Sequence, residues 1–130
     1  MPKVVSGGLF PSRLALSGIE WLLEIFGCPE ATLRDRKILA NFFQSIVSEM
    51  KLKPVGNSIW HQFPDTGGIT GFWLLQESHL AIHTFPEFHS ACLNVFCCSE
   101  RRPIDWRSKI SGLLGATEIR IREYLRVYQK

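Results

Sequence analysis

Apolar and polar residues alternate from Ile19 to Phe26, with Ile19, Trp21, Leu23 and Ile25 set against Glu20 and Glu24. That two-residue period predicts a strand with one buried face, closed by Gly27 and Pro29. From Thr32 to Lys51 the period changes. Leu39, Phe42, Phe43, Ile46, Val47 and Met50 recur at intervals of three and four, so they form one apolar stripe on a helix, with Arg34, Asp35, Arg36, Lys37 and Glu49 mostly outside. A strand near Val55–Phe63 and a Gly-rich turn over Pro64–Gly68 follow. Phe72–Leu75 and Leu80–Phe85 read as strand segments interrupted at Glu77-Ser78, and Ala91–Cys98 as another strand. A second helix is predicted after Pro103, with Trp106, Ile110, Leu113 and Leu114 inward. The end alternates again, Ile119, Ile121, Leu125 and Val127 against Arg120, Arg122, Tyr124 and Arg126. One buried and one wet face suit an antiparallel sheet with helices on its other side. The expected class is α+β, a two-layer sandwich of an antiparallel sheet with two helices packed on one face.

Length adds that 130 residues make a single domain, read as 18–130, behind an irregular N-terminal arm, 1–17, that carries Gly7, Gly8 and Pro11. A net charge of +3 without a focused basic stripe argues against a nucleic-acid partner. No apolar run reaches the roughly 18 residues of a membrane span, and the start lacks a signal-peptide core, so the expected location is cytoplasmic with no membrane partner. In that reducing compartment Cys28, Cys92, Cys97 and Cys98 should stay thiols. Adjacent Cys97 and Cys98 point to opposite faces of a strand, which fits no zinc knuckle. His79 and His83 are four apart but lack the His-Glu-x-x-His pattern, and no metal is expected.

The chemistry concentrates in residues 77–98, which run Glu-Ser-His-Leu-Ala-Ile-His-Thr-Phe-Pro-Glu-Phe-His-Ser-Ala-Cys-Leu-Asn-Val-Phe-Cys-Cys. The block resembles the signature of the prokaryotic S-adenosylmethionine decarboxylases, Glu-Ser-His-x-x-Ile-His-Thr-Trp-Pro-Glu followed by a strand ending in Cys. His61-Gln62-Phe63 and Gly68-Ile69-Thr70-Gly71 are similar to further segments of that family, and a looser resemblance covers about residues 18–122. The resemblance implies self-cleavage between Glu77 and Ser78. The Ser78 hydroxyl attacks the Glu77 carbonyl, an ester forms, and elimination and hydrolysis leave a covalent pyruvoyl cofactor at residue 78. It implies His83 as the base of that processing, a choice that suits a near-neutral imidazole, and Thr70 as a hydroxyl that assists it. The pyruvoyl ketone would then form an imine with a small amino-acid-type substrate and accept electrons as carbon dioxide leaves, with Cys98 returning the proton. Phe63, Phe85 and Glu87 match positions that hold an adenine ring and ribose hydroxyls. A homodimer, with sites at or near its interface, is also implied.

Geometry sets one requirement. Ser78 and His83 are five positions apart, so a straight strand places them on opposite faces, and the chemistry requires a kink or turn near Glu77-Ser78. The sequence also departs from the family pattern: Gly18-Ile19-Glu20 replaces Gly-Arg-His, Phe85 replaces Trp, and Asn94 replaces an acidic residue. The family includes members that decarboxylate arginine or ornithine, and Glu20 could pair with a guanidinium or ammonium, so the resemblance implies those substrates as the alternative to S-adenosylmethionine, towards which Phe63 and Glu87 tilt the reading. A regulatory paralogue that does no chemistry is a further alternative, against which the intact Ser78, His83 and Cys98 argue.

Overall fold

A computed structural model describes residues 16–102 and 104–130; most of the arm expected at 1–17 lies outside the described residues. The described chain forms β1 (Ser17–Phe26), α1 (Glu30–Leu33), α2 (Arg36–Met50), β2 (Ile59–Gln62), β3 (Ile69–Leu74), β4 (Ser78–Phe85), β5 (Ser90–Cys97), α3 (Trp106–Leu114) and β6 (Glu118–Val127). The strands make one antiparallel sheet in the order β2-β3-β4-β5-β1-β6. α2 and α3 bury their apolar stripes against one face, which gives the expected two-layer α+β sandwich.

Each element follows from local chemistry. Asp35 N-caps α2 by accepting hydrogen bonds from the backbone N–H groups of Lys37 and Ile38 at 2.9 and 3.2 Å, satisfying donors that the helix start leaves free. The expected stripe Leu39, Phe42, Phe43, Ile46, Val47, Met50 is the buried side of α2. Burial of each such side chain contributes roughly 1.5–3 kcal/mol. On α3 the inward line is Trp106, Ile110 and Leu114. Leu113, expected inward, sits in the last turn before Gly115 reverses the chain, and is exposed. β2 is shorter than the Val55–Phe63 expected. Pro54 makes only an isolated bridge to Leu75, and Gly56 adopts φ +77°, so the ladder starts at Ile59.

The final strand holds a second difference. Its inward row includes Glu123, 6% exposed, as well as Ile119 and Ile121. The carboxylate is admitted because the Trp21 indole N–H donates to its Oε1 at 2.7 Å, a hydrogen bond that a buried charge requires. The arginines of the wet face are exposed as expected, and each is also paired: Arg122 with Glu24, Arg126 with Glu20 and Arg120 with Glu118.

Candidate active site

β3 and β4 form a hairpin whose turn is Gln76-Glu77, closed by a hydrogen bond from Leu75 N–H to the Ser78 carbonyl at 2.9 Å. A turn is therefore present near Glu77-Ser78, but it does not do what the chemistry requires, which is to bring Ser78 and His83 to one face. It lies before Ser78, so the β4 alternation runs unbroken: Ser78, Leu80, Ile82 and Thr84 face the core, and His83 faces out. Neither Glu77 nor Ser78 has a positive φ; what distinguishes the bond is its hydrogen bonding. The Glu77 carbonyl accepts the Cys98 N–H at 2.6 Å, a backbone donor aimed at the oxygen that would gain negative charge under attack. Ser78 is 7% exposed and its Oγ has no hydrogen-bond partner. A buried hydroxyl without a partner is uncommon and destabilising, and here it neighbours the polarised carbonyl.

Opposite Ser78 in the β4–β5 register stands Cys97, on the same buried face. Burial pushes its thiol up to about 11; Arg101 and a weak approach of the Ser78 hydroxyl, short of a formed hydrogen bond, pull the other way. Cys97 is therefore a neutral thiol at neutral pH. Cys98, next along the chain, is exposed, and it meets Glu77 through its backbone. The Glu77 carboxylate lies 4.0 Å from Arg101.

The outer face of the sheet carries the remaining polar groups. Thr70 and His83 are direct partners in the β3–β4 register, and Thr70 Oγ1 lies 3.0 Å from His83 Nδ1. Nε2 is then the ring nitrogen left for other work. Two glycines make room around Thr70. A Cβ on Gly71 would stand 2.2 Å from the Trp60 ring, and one on Gly68 would stand 2.7 Å from the Thr84 carbonyl. Phe63 N–H donates to the Gly68 carbonyl at 2.8 Å, and extending the β3–β4 register places Gly68 beside Phe85. Phe63 and Phe85, both exposed, thus flank a residue with no side chain. Two strand spacings of about 4.8 Å put them roughly 9–10 Å apart, about twice a close ring-to-ring separation of ~4.5 Å. Glu87 follows, exposed, in a 3-10 turn, Pro86–Phe88, whose proline is buried.

Glu20 is on the same outer face, and both of its oxygens are engaged. Oε1 is paired with Arg126 Nη1, and Oε2 accepts from Asn94 Nδ2 at 2.7 Å. Asn94 Oδ1 lies 2.7 Å from His79 Nε2. The two histidines of the motif therefore have separate partners, His79 with Asn94 and His83 with Thr70. Three residues here were not singled out for a role from the sequence: Asn94, Cys97 and Arg101. Cys97 and Asn94 could have been found by pairing the β4 and β5 alternations in register. Arg101 follows the last strand residue by a loop and left no periodic signal.

These positions lie inside a region that known proteins share. The family described as S-adenosylmethionine decarboxylase matches residues 19–127. A protein of Clostridium tetani named S-adenosylmethionine decarboxylase proenzyme is 34% identical over 109 residues, 81% of this chain and 82% of that one. One of the same name from Syntrophomonas wolfei is 32% identical over 106 residues, again 81% and 82% of the two chains. Another, from Acetivibrio thermocellus, is 39% identical over 83 residues, 62% and 63% respectively. With nearly the whole described sheet inside the match, the chain belongs to the S-adenosylmethionine decarboxylase family.

Proposed function

We propose that this chain is a proenzyme that cleaves itself between Glu77 and Ser78 and, once processed, decarboxylates S-adenosylmethionine. The observation that carries the reading is the pairing of an unpartnered buried Ser78 hydroxyl with a Glu77 carbonyl already polarised by the Cys98 N–H. Attack by Oγ breaks the 77–78 C–N bond and forms an ester, and the Cys98 N–H holds the transient oxyanion. A base then removes the Cα proton of residue 78. The Cβ–Oγ bond breaks, and Glu77 leaves as a carboxylate that keeps the serine oxygen. The remaining enamine tautomerises and takes up water, and loss of ammonia leaves a ketone.

The resemblance assigns the base to His83, which is paired with Thr70; the extended β4 sets it five residues from Ser78 on the opposite face, so this step requires β4 to bend at its cleavage end. The residues fit the pyruvoyl group, because Ser78 is the source of all its atoms except the oxygen that water supplies. When present, that ketone serves as the electron sink for loss of carbon dioxide from an amine-bearing substrate. Cys98, exposed on the outer face beside the cleavage turn, is the group assigned to return a proton to the substrate carbon. Phe63 and Phe85 would hold a flat base across Gly68, their faces also suiting a sulfonium, and Glu87 would take ribose hydroxyls. The alternative of arginine or ornithine rested on a free carboxylate at Glu20, which Arg126 and Asn94 engage here. The outer sheet face exposes Ile59, Phe72 and Leu74, a patch that suits a second copy of the chain. No helix of the described residues is long and apolar enough to cross a membrane.

Intact-protein mass spectrometry of purified chain should show fragments of residues 1–77 and 78–130, the latter carrying a terminal ketone. Carbon dioxide release should occur with S-adenosylmethionine and not with arginine or ornithine. A single uncleaved mass in an active preparation would refute the reading.

A further inference from the structure

His79 is the first residue after the candidate pyruvoyl position, and its side chain is held more firmly than a surface histidine requires. Its ring lies between Phe72 on β3 and Phe96 on β5, with centroids 5.8 Å away on each side and interplanar angles of 27° and 24°. Nε2 lies 2.7 Å from Asn94 Oδ1, Asn94 Nδ2 donates to Glu20 Oε2 at 2.7 Å, and Arg126 closes the chain of contacts on Glu20 Oε1. The polarity of this chain is determined. A carboxylate only accepts, so Asn94 must turn its NH2 to Glu20 and its oxygen to His79. His79 Nε2 therefore carries a hydrogen and donates, whether or not Nδ1 is also protonated.

Cleavage at 77–78 makes residue 78 a chain end, and chain ends fray unless they are tied down. The Cys98 N–H contact belongs to Glu77 and leaves with the other fragment's terminus. What stays with the new end is the Leu75 N–H on its carbonyl, the start of the β4–β5 ladder, and the His79 side chain. On the outer face His79 is the nearest anchored group. We infer that the Arg126–Glu20–Asn94 relay makes His79 a positioning residue that holds the pyruvoyl terminus in register after cleavage. The inference rests on the proposed cleavage at Glu77-Ser78 and assigns a role to Glu20 and Asn94 within it.

The test uses the full chain with Asn94→Leu, Asn94→Asp, and Asn94→Asp combined with Glu20→Gln. The double variant reverses the relay: the amide introduced at position 20 donates to the carboxylate introduced at position 94, which accepts from His79. Each protein is followed by intact mass for cleavage, by the rate at which phenylhydrazine captures the terminal ketone, and by kcat and KM separately. Misplacing a reacting group by about 1 Å can lower the rate about 100-fold. Asn94→Leu should therefore cleave within about threefold of the wild-type rate but lose about 10- to 100-fold in kcat, with KM changed far less. Its ketone should be captured faster than the wild-type ketone. Asn94→Asp still accepts from His79 but sets its carboxylate against that of Glu20 and so breaks the link to Arg126; it should lose part of the kcat that Asn94→Leu loses, and adding Glu20→Gln should restore kcat and the wild-type capture rate. Wild-type kcat and capture in Asn94→Leu, or no restoration in the double variant, would overturn the inference. If Asn94→Leu does not fold, the comparison of single and double variants decides alone. Absence of cleavage in the wild-type chain would instead refute the proposed function, which keeps the two failures apart.

Discussion

Thr84 offers a stringent test of how the site is supported. The residue is 4% exposed, and its hydroxyl works twice, accepting the Ile69 N–H at 2.9 Å and donating to the Leu33 carbonyl at 2.8 Å. It thereby joins the end of α1 to the strand that carries Thr70. Thr84→Val keeps the shape and removes the hydroxyl, leaving a donor on Ile69 and an acceptor on Leu33 unpaired among fully buried neighbours. Each orphaned group costs about 1–3 kcal/mol, so the pair should cost about 2–6 kcal/mol. For a chain of this length the unfolding entropy is about 0.27 kcal/mol/K, so Tm should fall by roughly 7–22 °C. Thr84→Ser keeps the hydroxyl and loses one methyl, and should cost only about 1 kcal/mol. Urea and thermal unfolding, followed by tryptophan fluorescence in a Ser78→Ala background that keeps every chain intact, gives both numbers. A loss in Thr84→Val smaller than in Thr84→Ser would show that the hydroxyl bridges nothing of consequence.

Ser78→Ala should abolish both cleavage and decarboxylation, whereas Cys98→Ala should still cleave, since its backbone N–H is kept, but lose about 10²–10⁴ in kcat as a missing proton donor; mass spectrometry and carbon dioxide release separate the two. Gly71→Ala should destabilise the chain by about 1–3 kcal/mol, because its Cβ would overlap the Trp60 ring that packs 4.9 Å from Phe43; denaturant midpoints check it. Stability should also fall at high pH. Burial pushes the thiols of Cys28 and Cys97 up to about 11 from an ordinary 9.0, so each folded thiol keeps its proton where the unfolded one loses it. That contribution is complete below pH 9 and is lost as the pH rises to 11. By pH 10 each thiol should account for about 1.4 kcal/mol, and replacing Cys28 by Ala should flatten the pH dependence of the urea midpoint by that amount.

Periodicity made the sandwich legible because β1 and α2 each bury one unambiguous face, and the inward residues of both are those their spacing selects. It failed where a pairing overrode hydropathy. Glu123 is absent from the apolar row expected of the last strand, although the two-residue period puts it in phase with Ile119 and Ile121, and the Trp21 indole holds it inside. Leu113 reads as inward, and the end of a nine-residue helix leaves it exposed. The motif pointed to a turn near Glu77-Ser78, and Thr70 and His83, which it named separately, are register partners because both lie within one hairpin. The contacts of Glu20 and Asn94 depend on which strands become neighbours. β1 inserts beside β5 from far away in sequence, and alternation within a strand carries no trace of that choice.

That insertion governs what the proposed cleavage at 77–78 would do to the molecule. Breaking the 77–78 bond puts β1, β2 and β3 on one chain and β4, β5 and β6 on the other. β1 lies between β5 and β6, and β3 pairs with β4, so three of the five strand pairings join the two products. The products are interleaved, and neither keeps a sheet of more than two adjacent strands once the other is removed. Dissociation therefore requires unfolding, and recovery of the cleaved protein from denaturant becomes a bimolecular reaction whose yield depends on concentration. The uncleaved chain refolds as a single unit, so the fold has to be assembled before the bond is broken.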